Sequence, residues 1–259
     1  MKPFKIAAAQ VASMRGDLGR NIQTHLAAIR VAAAQGVSVL VFPELSLTGY
    51  EPDLAATHAL TASDARLDSL ADSARLHRMQ IVVGAPLSVG DSKPALGAIL
   101  FQPDGSRRIY AKMHLGGSEP NYFVPGNEPL MFESAEERVG LSICADSSAP
   151  SHPQTYATQG ATIYAAGVFL NAEWYATDAP RLASYAPAHR VLVVMANHAA
   201  SVGTYVSVGR SAIWAPEGAR LAQVEDDADA LVIASRSRDG WQAEVACLGL
   251  RLRQDRETR

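Results

Sequence analysis

The sequence predicts an α/β fold in which two layers of strand are covered on their outer faces by helices. Three observations predict it. Apolar runs of strand length alternate with segments of helical spacing, the turn-forming Gln102-Pro-Asp-Gly105 makes the middle of the chain partly antiparallel, and the last third is rich in short strands. Two stacked sheets with helices outside would bury the apolar faces of all these elements.

Taken in order, residues 5–11 form the first strand. Residues 21–35 place Ile22, Leu26, Ile29 and Ala33 at helical spacing, and Gly36 stops that helix before the strand 37–42. A second helix is expected over 67–79, with Leu67, Leu70, Ala74 and Leu76 mostly on one side. Strands follow at 81–85, 97–101 and 107–111, the last two joined by the Pro-Asp-Gly turn. Residues 139–143 make a strand, 150–159 a short helix, 162–166 a strand, 180–189 a helix and 191–195 a strand. Further strands at 211–215, 221–224 and 230–234 follow, with Pro216-Glu-Gly218 turning between the first two. Both halves contain helix-to-strand units that end at a candidate site position, a pattern suggestive of duplication.

A chain of 259 residues can bury about three quarters of its unfolded surface in one core, and nothing in it reads as a linker. The expectation is a single domain over 1–259 with a short polar tail from about 251. With 48% hydrophobic and 19% charged residues and a formal charge of -3, the chain is neither disordered nor polybasic, so nucleic acid is not an expected partner. Residues 1–5 run into a strand without a signal-type apolar stretch, and no run approaches about 18 apolar residues, so neither secretion nor a membrane partner is expected. Cys144 and Cys247 lack metal-type or disulfide-framework spacing, which fits a reducing cytoplasm and no metal site.

Three positions carry chemistry. Glu44 ends the run 37–44, Lys112 lies just past strand 107–111, and Cys144 follows the apolar strand 139–143 at the start of a turn-prone Ala-Asp-Ser-Ser-Ala-Pro stretch. An acid, an amine and a thiol therefore each stand at the C-terminal edge of a strand, where α/β proteins assemble active sites. Lys112 is one of four lysines in a chain that otherwise uses arginine, which favours a role for a compact amine.

These segments resemble those of the nitrilase superfamily of carbon-nitrogen hydrolases. FPELSLTGY at 42–50 is similar to its glutamate motif, YAKMHL at 110–115 to its lysine motif and ICAD at 143–146 to its cysteine motif. Residues 122–126, 160–161, 196–197 and 209–218 agree as well, in the right order. The resemblance implies a four-layer α-β-β-α sandwich, a homodimer or larger homo-oligomer, no cofactor, and hydrolysis of a small amide through a cysteine acyl-enzyme. It implies Cys144 as nucleophile, Glu44 as general base, Lys112 as the oxyanion's cation and Glu119 as a second glutamate beside the lysine.

The resemblance weakens where the substrate is chosen. Ser148 and Ser151 stand where amide-hydrolysing members commonly carry an arginine and a glutamate, and Ala145-Asp146 replaces the Trp-Glu that tends to follow the cysteine of nitrile hydrolysers. An amide or carbamoyl bond is favoured over a nitrile, with no strict need for a substrate carboxylate. Asp146 is expected to shape the turn and His114 to be structural. Pocket positions are expected at Tyr50, His152, Phe169, Glu173, Trp174 and His198, with residues 167–175 as a pocket wall whose aromatics and single charge, Glu173, suit a polar or amine-bearing substrate. Alternatives are N-carbamoyl amide hydrolysis and, in a different class, a catalytically idle dimeric interaction module.

Overall fold

A computed structural model describes residues 3–90, 93–200 and 205–249, so the expected tail from about 251 lies outside the described residues. Two sheets stack face to face. The first holds seven strands in the order β13-β12-β1-β2-β3-β4-β5, and the second holds six in the order β11-β10-β9-β8-β7-β6, among the described residues. Their ranges are β1 Lys5–Gln10, β2 Val39–Val41, β3 Gln80–Leu87, β4 Ala95–Phe101, β5 Arg107–Ala111, β6 Met131–Ser134, β7 Glu137–Ile143, β8 Ile163–Val168, β9 Leu192–Asn197, β10 Ala212–Trp214, β11 Arg220–Gln223, β12 Ala230–Ser237 and β13 Gly240–Cys247. The helices are α1 Leu18–Ala34, α2 Asp68–His77, α3 Ser151–Thr158 and α4 Ala172–His189.

Each sheet is built on a run of three parallel strands joined by two helices, β1-α1-β2-α2-β3 in one and β7-α3-β8-α4-β9 in the other, with antiparallel strands outside them. The duplication suggested by the sequence has this shared core as its structural counterpart. Side chains alternate across every central strand. Ile6, Ala8, Val39, Val41, Leu141, Ile143, Ala165 and Val194 meet between the sheets. Their neighbours Ala7, Ala9, Leu40 and Val83 pack under α1 and α2, and Ala166, Val168, Val193 and Met195 pack under α3 and α4. The four-layer α-β-β-α sandwich follows from that double burial, since a parallel strand covered on both faces must be apolar throughout.

The expected hairpin is present: β4 and β5 pair antiparallel, the Gly105 N–H donates to the Gln102 carbonyl at 2.9 Å, and Gly105 has a φ of +88° that favours glycine. Two strands were not foreseen. β6 is only four residues long, and β13 is an edge strand that carries Gln242 and Glu244 on one face and only partly buried Trp241 and Ala243 on the other, so neither has the strongly apolar letters of a core strand. The helix expected at 180–189 begins eight residues earlier, where Asn171 caps it by accepting from the Trp174 N–H at 2.8 Å. Pro180 therefore lies inside a helix rather than opening one, and residues 172–175 belong to its first turn.

Candidate active site

Glu44, Lys112 and Cys144 converge where the two sheets meet at one end. Glu44 follows β2, and its backbone is held on both sides by close approach. A Cβ on Gly84 would stand 2.3 Å from the Leu45 nitrogen and 2.4 Å from the Pro43 carbonyl oxygen, while one on Gly167 would stand 2.7 Å from the Phe42 carbonyl oxygen. Gly84 belongs to the first sheet and Gly167 to the second, so the segment carrying the glutamate threads between two positions that have no side chain. His198 adds a third hold, its Nε2 bonding to the Glu44 carbonyl oxygen at 2.7 Å.

Lys112 directly follows β5 with its amine fully buried. Its Nζ donates to Glu44 Oε1 at 2.7 Å and to both oxygens of Glu119 at 2.8 Å. Glu119 also accepts from the Tyr50 hydroxyl at 3.0 Å and the Gly116 N–H at 2.7 Å, and Glu44 Oε2 accepts from the Phe169 N–H at 3.2 Å. One ammonium thus serves two carboxylates. Burial raises the Glu44 carboxyl to about 7, Lys112 opposes that rise, and the Glu119 charge adds to it. Burial works against the Lys112 ammonium, but the charges of Glu44, Cys144 and Glu119 prevail and its pKa lies above the ordinary lysine value.

Cys144 opens a short 3-10 turn, Cys144–Ser148, directly after β7. Its φ is +42°, a left-handed conformation that costs a non-glycine residue roughly 1–2 kcal/mol and that swings the side chain out of the strand. The half-buried sulfur lies 3.9 Å from the Phe169 carbonyl oxygen and interacts with Glu44. Burial and the Glu44 charge push the thiol well above its ordinary pKa, so it rests protonated beside a carboxylate able to take the proton.

Asp146 holds the turn and the lysine together. Fully buried, it accepts from the Ile143 N–H at 2.9 Å and the Tyr110 hydroxyl at 2.6 Å on one oxygen, and from the Met113 and His114 N–H groups at 2.9 and 2.8 Å on the other. The expected turn-shaping role is present and extends further, because Met113 and His114 immediately follow Lys112.

A cavity of about 340 Å³ opens over the thiol, lined by Cys144, Glu119, Tyr50, Trp174, Asp178 and Tyr205 together with the backbone of 116–118. Tyr50 stacks on Phe169 with ring centroids 4.7 Å apart and meets Tyr205 edge-on at 5.1 Å. Of the expected pocket residues, Tyr50 and Trp174 line this space, and Phe169 supports it from beneath. Three others are placed elsewhere. Glu173 is exposed on the first turn of α4, away from the lining, because the helix sends consecutive side chains in different directions. His152 is buried behind the cysteine turn, between the hydroxyls of Tyr110 at 2.8 Å and Tyr164 at 2.9 Å. His198 is buried under Glu44, and burial lowers its pKa to about 4. Asp178 and Tyr205 were not foreseen. Asp178 stands four residues after Trp174, one helical turn on the same face, a signal available only once α4 is known to start at Ala172. Among the described residues no group of three or more His, Cys, Asp or Glu side chains is arranged to hold a metal ion.

Comparison with known proteins gives this geometry a context. The NitN amidase of Nesterenkonia sp. AN1 matches with a TM-score of 0.80 and 26% identity, over 89% of this chain and 91% of that one. A variant of the amidase from the same organism carries acrylamide added to its active site cysteine. The glutamine-dependent NAD(+) synthetase of Thermotoga maritima is 29% identical over 171 residues, 63% of this chain and 29% of that protein. An (R)-stereoselective amidase of a Pseudomonas species is 30% identical over 161 residues, 62% of this chain. The match spans 58% of that amidase, so this chain covers less than two thirds of either curated relative. The carbon-nitrogen hydrolase profile matches residues 5–244, nearly the whole described molecule, and the chain belongs to the carbon-nitrogen hydrolase family with the fold of nitrilase-superfamily amidases.

Proposed function

We propose that this chain hydrolyses the C–N bond of a small amide through a thioester on Cys144. The observation that carries the reading is a thiol at a positive-φ turn, facing a cavity and backed by a buried Glu44–Lys112–Glu119 cluster. In the first half-reaction Cys144 Sγ attacks the amide carbon while its proton passes to Glu44. The Lys112 ammonium stabilises the oxygen that becomes negative, in a site dry enough for that charge to count. Collapse breaks the C–N bond, and the departing nitrogen takes the proton from Glu44. A water then gives a proton to Glu44 and attacks the thioester, and the thiolate leaves and is reprotonated as the acid is released. Glu119 and Tyr50 keep the lysine amine in place. A carboxyl held at about 7 suits this double duty, because it can both accept and return a proton near neutral pH.

The reading extends to a cytoplasmic homodimer acting on an amide in preference to a nitrile, with neither nucleic acid nor membrane as partner. The net charge of -3 speaks against a nucleic-acid partner, Ala145-Asp146 after the cysteine speaks for the amide, and among the described residues no helix is long and apolar enough to cross a membrane. Mass spectrometry of the enzyme mixed with an amide should show the acyl group on Cys144. Cys144→Ala should lose both the adduct and turnover while staying folded. Full turnover in that variant, or efficient nitrile turnover with poor amide turnover, would sink the assignment; release of carbon dioxide, ammonia and an amine would identify a carbamoyl substrate instead.

A further inference from the structure

We propose that the cavity over Cys144 selects amides carrying an ammonium group, with Asp178 receiving the cation between the rings of Trp174 and Tyr205. This inference rests on the hydrolase reading and adds a substrate class to it.

The charges around the cavity are unequal. Two carboxylates, Glu119 and Asp178, line the cavity, and no cation does. Both are paired from behind the lining, but to different extents. Glu119 accepts from Lys112 on both oxygens and from Tyr50 and Gly116 as well. Asp178 differs. Its two neighbours, Thr177 Oγ1 at 3.0 Å and Arg181 Nη1 at 2.8 Å, both bond to Oδ1. Its side chain is partly open, 18% exposed, and lines the cavity.

Arg181 offsets part of the Asp178 charge, but from behind the lining. Its Nη1 is engaged by Asp178 and by the Ser148 hydroxyl at 3.0 Å, and Arg181 itself is not on the lining, whereas Ser148 and Asp178 are. A substrate therefore meets a hydroxyl and a carboxylate on that wall. The lining beside Asp178 is aromatic: Trp174, one turn earlier on the same face of α4, is 37% exposed, and Tyr50 and Tyr205, which also line the cavity, stand edge to face with each other. Ring faces beside a carboxylate form a site for a cation, since the ring quadrupole and the anion attract the same charge. A carboxylate-bearing amide would instead approach Asp178 without a lining cation. A neutral alkyl amide would leave the polar wall unused. At about 340 Å³ the cavity falls in the range of small-molecule sites and accommodates several atoms beyond the reacting amide.

The test compares isosteric amides. β-Alaninamide and 4-aminobutyramide are measured against butyramide and valeramide, their neutral isosteres, and against succinamate. The expected result is a kcat/KM for at least one ammonium amide about tenfold or more above its neutral isostere, with succinamate poorest, and a preference that shrinks as ionic strength rises. Asp178→Asn should bring the ammonium-to-neutral ratio to within about threefold of one. Calorimetric binding of the same amides to Cys144→Ala gives a second measure that needs no turnover, and the same order of affinities is expected. Equal or better use of the neutral amides, a preference for succinamate, or an ammonium preference that survives in Asp178→Asn would overturn the proposal. If butyramide acylates Cys144 with no ammonium preference, only this inference fails. If no amide acylates Cys144, the hydrolase reading fails, and binding to Cys144→Ala still decides the inference.

Discussion

Replacing Glu44 by glutamine should make the protein more stable near neutral pH while nearly abolishing its activity. The magnitude comes from the buried cluster. A carboxyl held at about 7 instead of its ordinary 4.5 binds its proton more tightly folded than unfolded, so ionising it costs the fold stability. At 1.36 kcal/mol per pH unit, the cost reaches about 3 kcal/mol once the group is fully ionised. The sign follows from linkage. Between about pH 4.5 and 7 the folded form carries more of this proton than the unfolded form, so the contribution is intact at the acid end and lost as pH rises through 7. Glutamine keeps the shape and removes the charge, leaving Lys112 with Glu119 as a balanced pair. Allowing for the less suitable hydrogen bonding of the amide, we expect Glu44→Gln to gain about 1–2 kcal/mol over wild type near pH 8 and almost nothing near pH 5. Turnover should fall at least about 100-fold, because the proton has no acceptor. Urea denaturation of both proteins at the two pH values, with amide kinetics alongside, measures this. Equal destabilisation by the substitution at both pH values would refute the reasoning, since Glu44 would then be a stabilising partner of Lys112 whose charge carries no net cost.

Two further outcomes follow from the same geometry. Lys112→Met should lower kcat at least about 100-fold and destabilise the fold by about 3–5 kcal/mol near pH 8, because two buried carboxylates lose their counter-ion; the loss should be smaller near pH 5, and a pH-independent loss in the denaturation curves would count against it. Gly84→Ala should cost about 3 kcal/mol or more and depress activity beyond that, since its methyl group would stand 2.3 Å from backbone that cannot move without moving Glu44. Unchanged melting and kinetics in that variant would show that the Glu44 segment is loosely held.

Much of this was legible in the sequence because both its strongest signals are local. Core strands such as β1, β3 and β8 are buried on both faces, so their letters are apolar except at some strand ends, and the motifs around Glu44, Lys112 and Cys144 each follow a strand. What was not legible depends on orientation. β13 and β6 sit at sheet edges, where one strand face needs no apolar residues. The start of α4 was hidden by Pro180, which reads as an opening residue, and by aromatics that read as loop. That single misplacement moved the expected pocket charge from Asp178 to Glu173. His152 and His198 follow the cysteine turn and β9 in sequence, yet both point into polar pockets behind the site, a direction that spacing along the chain does not specify. Asp146 was legible as a turn former but not as the link to Met113 and His114, because that link spans 32 and 33 residues and exists only once the sheets are stacked.

The proposed base and nucleophile come from different layers: Glu44 and Lys112 extend from one sheet, Cys144 from the other, and the side chains packed between the sheets help to set the gap, beside the Gly167 contact and the Asp146 bonds. Residues far from the chemistry, such as Val41 and Leu100 on one inner face and Leu141 and Val194 on the other, therefore act as spacers for a reaction they never touch. Trimming or enlarging one of them shifts the sulfur relative to the carboxylate by fractions of an ångström, which proton transfer registers long before the fold melts. On the proposed mechanism, catalytic rate becomes a gauge of interlayer thickness, so the central core answers to that tolerance as well as to stability.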